Sequence, residues 1–404
     1  MILRMVSIKR TRVIPWIMVL SCVVLLTILA HKIISQRDWL LRAMYPIDAV
    51  LQEVPTNCSH GSPDWLKHLV YHSIWVQNSP RNQIAYISPD GELFHCENGW
   101  VGEAFRSKKV SEKTRFRYAS LTKLFTADAI LAEINSGSLS LSALLVDVVP
   151  ELKEAEDNRI GLITVEHLLT HRAGYDRLKR PDPMTVKNKK PDCPSKLDGL
   201  THYYLDYTPG LRYSYSNLGY CLLGVILERL NETSYRELIE DRYHLASNGL
   251  VFIDGPYLED EVSYDFRNSP YFESGYYQYF DFYSLSSSAG LSGSAVPLAK
   301  YMSEVMIHRA PLSLIGRNVQ SDCSVGEVGQ CFGFAVSQYW QGSKDLKLYV
   351  QGGHLYGATS KAVFDSYGGV TVWLGSGGAL DPSEASSRFV EFMYEELSDY
   401  YQVL

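Results

Sequence analysis

The chain reads as an α+β protein in which the N- and C-terminal parts share one antiparallel sheet, helices flank it, and a mainly helical subdomain is inserted between the two parts. Three observations predict this. Gln83–Ser88 and Glu92–Cys96 alternate like paired strands around Pro89-Asp90-Gly91, a hairpin turn sequence. Strand-like runs return only near the end, at Leu346–Val350, Ala362–Phe364 and Gly369–Leu374. Between them the apolar spacing is helical over Ser120–Ile134, Val165–Thr170, Leu218–Leu230 and Ala295–Ile307, and Glu384–Leu397 predicts a closing helix.

The elements are taken in chain order. Val13–Ala30 carries no charge, follows Arg4, Lys9, Arg10 and Arg12, and is long enough to span a bilayer as a helix. It is expected to be a transmembrane signal anchor behind a cytoplasmic tail of residues 1–12, with a cleaved signal peptide as the alternative. The protein is then a single-pass membrane protein with an extracytoplasmic domain, on the periplasmic side in a Gram-negative cell. Residues 31–57 read as a juxtamembrane linker and 58–404 as the folded domain. Within the domain, Lys179–Lys196 is a Pro- and Lys-rich surface loop, and Tyr271–Tyr283 is crowded with aromatics, as core or as a lid or pocket wall.

At 404 residues, 46% hydrophobic and 21% charged, the chain has the composition of a folded globular protein. A net charge of −7 and the lack of a Lys/Arg stripe exclude a nucleic-acid partner as the working expectation. There are seven cysteines. Cys22 is expected as a membrane-buried thiol, Cys323–Cys331 as the first disulfide, Cys58–Cys96 as the second, and Cys221, inside an apolar helical pattern, as a buried free thiol. No Cys/His spacing suggests zinc, so neither a metal nor a cofactor is expected.

Three clusters carry chemistry. In Ser120-Leu121-Thr122-Lys123, residues three apart share a helix face, so the Lys123 amine can sit beside the Ser120 hydroxyl. A serine hydroxyl is a weak nucleophile, and a buried neighbouring amine with lowered pKa can take its proton. In Tyr215-Ser216-Asn217, just before an apolar helix, the phenol can relay that proton and the Asn217 amide can bond lysine and substrate. In Gly352-Gly353-His354-Leu355-Tyr356-Gly357, glycines admit a close-lying substrate backbone, His354 can donate to a substrate carboxylate or carbonyl, and a strand amide can join that of Ser120 as an oxyanion hole.

Taken together, the clusters resemble the serine β-lactamase and penicillin-binding-protein-like superfamily, in particular its class C β-lactamase-related branch of esterases, D-alanyl peptidases and lactamases. Phe116–Lys123 is similar to that branch's nucleophile segment, Gly137–Glu151 to the turn after it, Ile163–Gly174 to its Leu-Leu-Thr-His stretch and Ala289–Ser294 to its late Gly-Gly-Leu segment. The resemblance covers about Ile84 to the C-terminus. It implies a β-lactamase/transpeptidase-like fold, Ser120 as acylated nucleophile, Lys123 and Tyr215 as proton-handling residues, and Asn217, His354 and Gly357 as substrate-binding residues. His171 matches a family position and reads as a packed structural histidine. The chain departs from the family pattern at Tyr356, where glycine is usual two residues after the third-motif Lys or His.

The expected function is therefore a membrane-anchored serine hydrolase acting through an acyl-enzyme on an amide or ester. D-alanyl cell-wall peptides, esters and β-lactams are the candidate small-molecule or peptide substrates. A β-lactamase-like binding module without turnover is the alternative, prompted by Tyr356.

Overall fold

Among the described residues eight strands form the main sheet, and the chain enters it twice. A computed structural model describes residues 18–24, 27, 37–179, 190–269, 274–306, 312–315, 326–327, 331–342 and 345–403. From the N-terminal part come β1 (Asn57–Cys58), β2 (Asn82–Ile87) and β3 (Leu93–Asn98). The small strands β4 (Phe116–Arg117), β5 (Val251–Phe252) and β6 (Leu291–Gly293) form a separate three-stranded sheet in the order β4-β6-β5. The C-terminal part supplies β7 (Cys331–Phe332), β8 (Ser337–Trp340), β9 (Lys347–Leu355), β10 (Ala358–Asp365) and β11 (Val370–Gly375). The main sheet runs β1-β3-β2-β11-β10-β9-β8-β7, every pairing antiparallel. The α+β class and the sheet shared by the two ends are as expected.

Both faces of that sheet are covered, so its central strands β2 and β11 are buried throughout. On one face Tyr86 meets Trp65 of the Asp64–Trp75 helix, ring centroids 4.9 Å apart, and Trp373 stacks on Phe389 of the Pro382–Val403 helix at 5.1 Å. Side chains alternate along a strand, so Gln83, Ala85 and Ile87 face the other way. There Gln83 Oε1 accepts from Ala295 N at 2.9 Å, at the start of the Ala295–Tyr301 helix. This second face joins the core of the inserted helical part, with Leu124, Phe125 and Ile130 of the Thr122–Asn135 helix and Leu222, Leu223 and Ile226 of the Asn217–Asn231 helix fully buried.

Residues 49–404 form one compact unit and residues 1–48 another. The expected membrane span and the membrane location are corrected: among the described residues no helix is long and apolar enough to cross a membrane. Part of 13–30 lies outside the described residues. Its longest described helical piece, 18–24, covers about 10 Å at 1.5 Å per residue, against about 30 Å of hydrocarbon. Cys22, expected in a membrane interior, is an exposed free thiol.

Cysteine pairing is also partly corrected. Cys58 and Cys96 face each other across β1 and β3 and are bonded. Cys221 is not a free thiol: it bonds Cys193, because the end of the Lys- and Pro-rich loop and the residues after it turn inward and bury Cys193, Leu197 and Leu200. Helical periodicity shows that Cys221 is buried but not which loop returns to it. Cys331 is disulfide-bonded, and Cys323 lies outside the described residues, as do 180–189 of that loop and 271–273 of the aromatic stretch.

Candidate active site

Ser120 sits in a 3₁₀ turn, Ala119–Leu121, that runs straight into the Thr122–Asn135 helix. The turn begins at Ala119 with φ +48°, a left-handed conformation that an alanine holds only where its surroundings enforce it. The enforcement is visible. Tyr118 N donates to Leu291 O at 3.0 Å, Ser360 Oγ donates to Tyr118 O at 2.7 Å, and Gln351 Nε2 donates to Ser120 O at 3.0 Å. Gly353 on β9 lies so close that an added Cβ would stand 2.6 Å from Tyr118 O and 3.0 Å from Ser120 N, so only glycine fits.

Lys123, one turn along the helix, is fully buried. Its Nζ donates to Ser120 Oγ at 3.2 Å, Asn217 Oδ1 at 2.7 Å and Ser288 O at 2.8 Å. Asn217 arrives because Ser216 caps its helix, accepting from Gly219 N at 3.2 Å. That cap aims Tyr215 back at the nucleophile, and its hydroxyl donates to Ser120 Oγ at 2.7 Å. The structure thus brings Ser120, Lys123, Tyr215 and Asn217 together around one hydroxyl, in a residue that is 9% exposed.

His171 supports Tyr215 from beneath. The rings lie 4.3 Å apart, and His171 Nδ1 accepts from Ser216 N at 3.2 Å. An accepting Nδ1 leaves the proton of a neutral ring on Nε2, which is buried and has no hydrogen-bond partner among the described residues. Desolvation first, then the Lys123 and Arg177 charges, hold its pKa well below the ordinary value.

The third cluster divides between two faces. On β9, Gln351 and Gly353 point toward Ser120, so His354, one residue on, projects from the opposite face beside Gly378. There His354, Tyr356 and Gly357 line a cavity of about 190 Å³ with Asp265 and Asn268. Crowding around the His354 ring, then Arg177 and Lys361, lower its pKa, while its outer edge stays exposed. Gly357 adopts φ +81° in the two-residue turn to β10, where a Cβ would press on Tyr264 and Phe266.

The aromatic stretch walls the other side of the nucleophile turn. Tyr277 and Phe280 are buried in a cluster with Ala119, Leu355 and Ala358, and part-exposed Tyr276 and Tyr356 pack on it, edge to face with each other at 4.9 Å. Tyr277 lies over the Arg117 guanidinium at 3.9 Å and donates to Tyr356 O at 2.8 Å. Arg117 is in turn paired with Glu261 at 2.6 Å, both side chains sealed from solvent.

Sequence reasoning passed over Ser288, Gln351 and Arg177. Ser288 acts through its backbone carbonyl, which no side-chain pattern reveals. Gln351 was legible, since it lies two residues before Gly353 and so on the same strand face. Arg177, whose guanidinium lies 4.8 Å from the Tyr215 ring centroid, belongs to a loop whose path the sequence leaves open.

Comparison with known proteins bears on the same residues. The Beta-lactamase family model matches residues 84–244. A Dichelobacter nodosus protein named for fimbrial assembly, FimD of serogroup D, is 33% identical over 361 residues, covering 89% of this chain and 90% of that one. Protein flp of Staphylococcus aureus is 25% identical over 220 residues, 52% of this chain and 43% of that protein. Among solved structures, D-amino acid amidase from Ochrobactrum anthropi SV3 superposes with a TM-score of 0.65 at 17% identity, over 83% of this chain and 99% of that one. The β-lactamase/D-alanine carboxypeptidase from Pseudomonas syringae does so with a TM-score of 0.62 at 19% identity, over 82% and 98%.

Proposed function

The chain belongs to the serine β-lactamase and penicillin-binding-protein-like superfamily, and on that premise we propose that it is a serine hydrolase that acylates Ser120. The observation that carries this reading is the convergence of Lys123 Nζ and Tyr215 OH on Ser120 Oγ, at 3.2 and 2.7 Å. Asn217 Oδ1 and Ser288 O can only accept, so two positions on the Lys123 nitrogen are committed to N–H donation. The third faces Ser120 Oγ. When it holds a lone pair, Lys123 takes the hydroxyl proton as Oγ attacks the acyl carbon; Tyr215 passes a proton to the departing amine or alcohol, and water then cleaves the acyl-serine ester. Asn217 holds Lys123 and presents its amide to the substrate. Gly357 shapes the turn that ends β9, and His354, on the strand face opposite Gly353, lines the neighbouring cavity within electrostatic reach of Arg177.

The substrate class is an amide or ester. D-alanyl cell-wall peptides, simple esters and β-lactams all suit this machinery, and the names of the solved neighbours, an amidase and a β-lactamase/carboxypeptidase, lie in that range. The test is covalent labelling of the full chain by a fluorophosphonate probe. Labelling in the wild type, at least about 10³-fold slower in Ser120→Ala, is the expected result. An unlabelled but folded wild type sinks the proposal. It would favour a second reading, a binding module that keeps the cleft without turnover, which Tyr356 and the fimbrial-assembly name of the Dichelobacter relative both favour.

A further inference from the structure

We propose that Thr126, with Tyr235 behind it, is a positioning residue of this site: it holds the turn Ser286–Ala289 so that one place on the Lys123 nitrogen keeps facing Ser120. This rests on the acyl-enzyme reading above. Ser286–Ala289 is a single helical turn, and the last carbonyls of a helix find no partner within it. Two of them are taken up by one face of the Thr122–Asn135 helix, on which residues three apart lie together. Lys123 Nζ donates to Ser288 O at 2.8 Å, and Thr126 Oγ1 donates to Ser287 O at 2.6 Å.

The direction of this network follows from its protons. A carbonyl only accepts, so the single Thr126 hydroxyl proton goes to Ser287 O, and the Tyr235 hydroxyl, 2.6 Å from Thr126 Oγ1, must be the donor there. Burial raises the Tyr235 pKa above its ordinary value, so the phenol keeps that proton. Thr126, Tyr235 and Ser287 are all buried. The turn is wedged from other sides as well: a Cβ on Gly224 would stand 2.8 Å from the Ser287 Cβ, and Arg236 Nε donates to Ser286 Oγ at 2.8 Å. Tyr235 opens the Tyr235–Tyr243 helix behind its Ser234 cap, and its backbone N donates to Glu228 Oε1 at 2.9 Å. What the arrangement is for follows from the charge on Lys123. Its amine already donates to Asn217 Oδ1 and Ser288 O, and one more carbonyl would favour the ammonium form and draw the third position away from Ser120 Oγ. Ser287 O is the neighbouring acceptor on the same turn, and Thr126 occupies it. Without that hydroxyl the carbonyl is buried and short of its donor, a cost the turn relieves by swinging toward Lys123.

A Thr126 that serves packing alone would lower activity alike at every pH, so the pH profile separates the two roles. The rate of fluorophosphonate labelling at Ser120 is followed on the full chain from about pH 5 to 10 in the wild type, Thr126→Val, Thr126→Ser and Tyr235→Phe, with circular dichroism as the check on folding. In the wild type the rate rises with pH as Lys123 loses its proton. In Thr126→Val the rising limb moves up by about one pH unit, so labelling at pH 7 falls roughly tenfold while the alkaline rates come together. Thr126→Ser keeps the donor and stays on the wild-type limb. Tyr235→Phe moves the limb the same way by less, because a hydroxyl that also accepts a hydrogen bond donates more strongly. The assignment is overturned if the limb of folded Thr126→Val lies within about 0.3 unit of the wild type, if its rate drops equally at every pH, or if Thr126→Ser moves as far as Thr126→Val. Should Thr126→Val not fold, Tyr235→Phe decides: an upward displacement beyond about 0.3 unit supports the assignment and an unmoved limb overturns it. A folded wild type that is not labelled at any pH defeats the acyl-enzyme reading itself, a result distinguishable from every one of these.

Discussion

Two cations lie buried six residues apart on either side of the nucleophile, Arg117 on β4 and Lys123 in the helix after it, and the molecule compensates them differently. Arg117 meets a carboxylate, Glu261, inside an aromatic box of Tyr257, Tyr264 and Tyr277, with Tyr264 OH also donating to Glu261 at 2.7 Å. Lys123 donates to the uncharged oxygens of Ser120, Asn217 and Ser288. A guanidinium never gives up its proton, so Arg117–Glu261 is a fixed strut. An amine among neutral oxygens can exist with or without its third proton at modest cost, which suits a group that must hand protons on. On the proposed mechanism, the same burial serves scaffold on one side of Ser120 and chemistry on the other, and the partner's charge decides which.

The sharpest way to break this contrast is Lys123→Met, which keeps much of the volume and removes the amine. The rate of fluorophosphonate labelling at Ser120 should fall on the order of 10⁴-fold, with circular dichroism showing an intact fold. Labelling at the wild-type rate would mean that Lys123 is scaffold after all. Arg117→Met should behave in the opposite sense. It strands Glu261 in the interior and should cost roughly 3–5 kcal/mol in urea unfolding, with labelling per folded molecule affected much less. A stability change under about 1 kcal/mol would remove the strut from the account.

The smallest expected effect concerns His171 beneath Tyr215. Its folded-state pKa lies well below the ordinary value of 6.5, mainly through burial, so below pH 6.5 the unfolded chain binds a proton that the folded one does not. Stability should therefore be fully present above that pH and decline as the solution is acidified, by up to about 1.4 kcal/mol per pH unit for this group. His72 and His167 are shifted in the same direction and add to the slope. In His171→Gln the slope between pH 6.5 and 5 should be shallower by about 1 kcal/mol per unit, read from urea midpoints across pH. An unchanged slope would place the protonation-sensitive strain elsewhere than under Tyr215.

The legible parts of the site share one property: their geometry is local. Ser120 and Lys123 meet because a helix brings every third residue round to the same face, and Tyr215 and Asn217 are delivered by a serine cap readable in Tyr215-Ser216-Asn217. The hairpin of β2 and β3 was equally local, with its turn between Ser88 and Glu92. The third cluster was less readable because motif order does not say which strand face a residue occupies. His354 looks like a donor in the linear pattern, yet the register that puts Gly353 against Ser120 N turns His354 away. Cys221 failed for a related reason, its partner Cys193 returning from a loop 28 residues upstream. The apolar run at 13–30 met the compositional rule for a membrane span, but among the described residues no helix is long and apolar enough to cross a membrane.

By itself, then, the sequence determined the hairpin of β2 and β3, the late strands that join it in one sheet, the main helices between them, and the residues gathered at the Ser120 hydroxyl, because hydrophobic period, helix spacing and capping act over a few residues; the short strands β4, β5 and β6 of the middle sheet carry no such period and were not read. Only the tertiary structure decided the disulfide at Cys221, the face on which His354 sits, the Ser288 carbonyl beneath Lys123 and the place of Arg177 over Tyr215. Each of these depends on where distant segments of chain come to rest against one another, and that is set by packing of the whole core rather than by any local pattern.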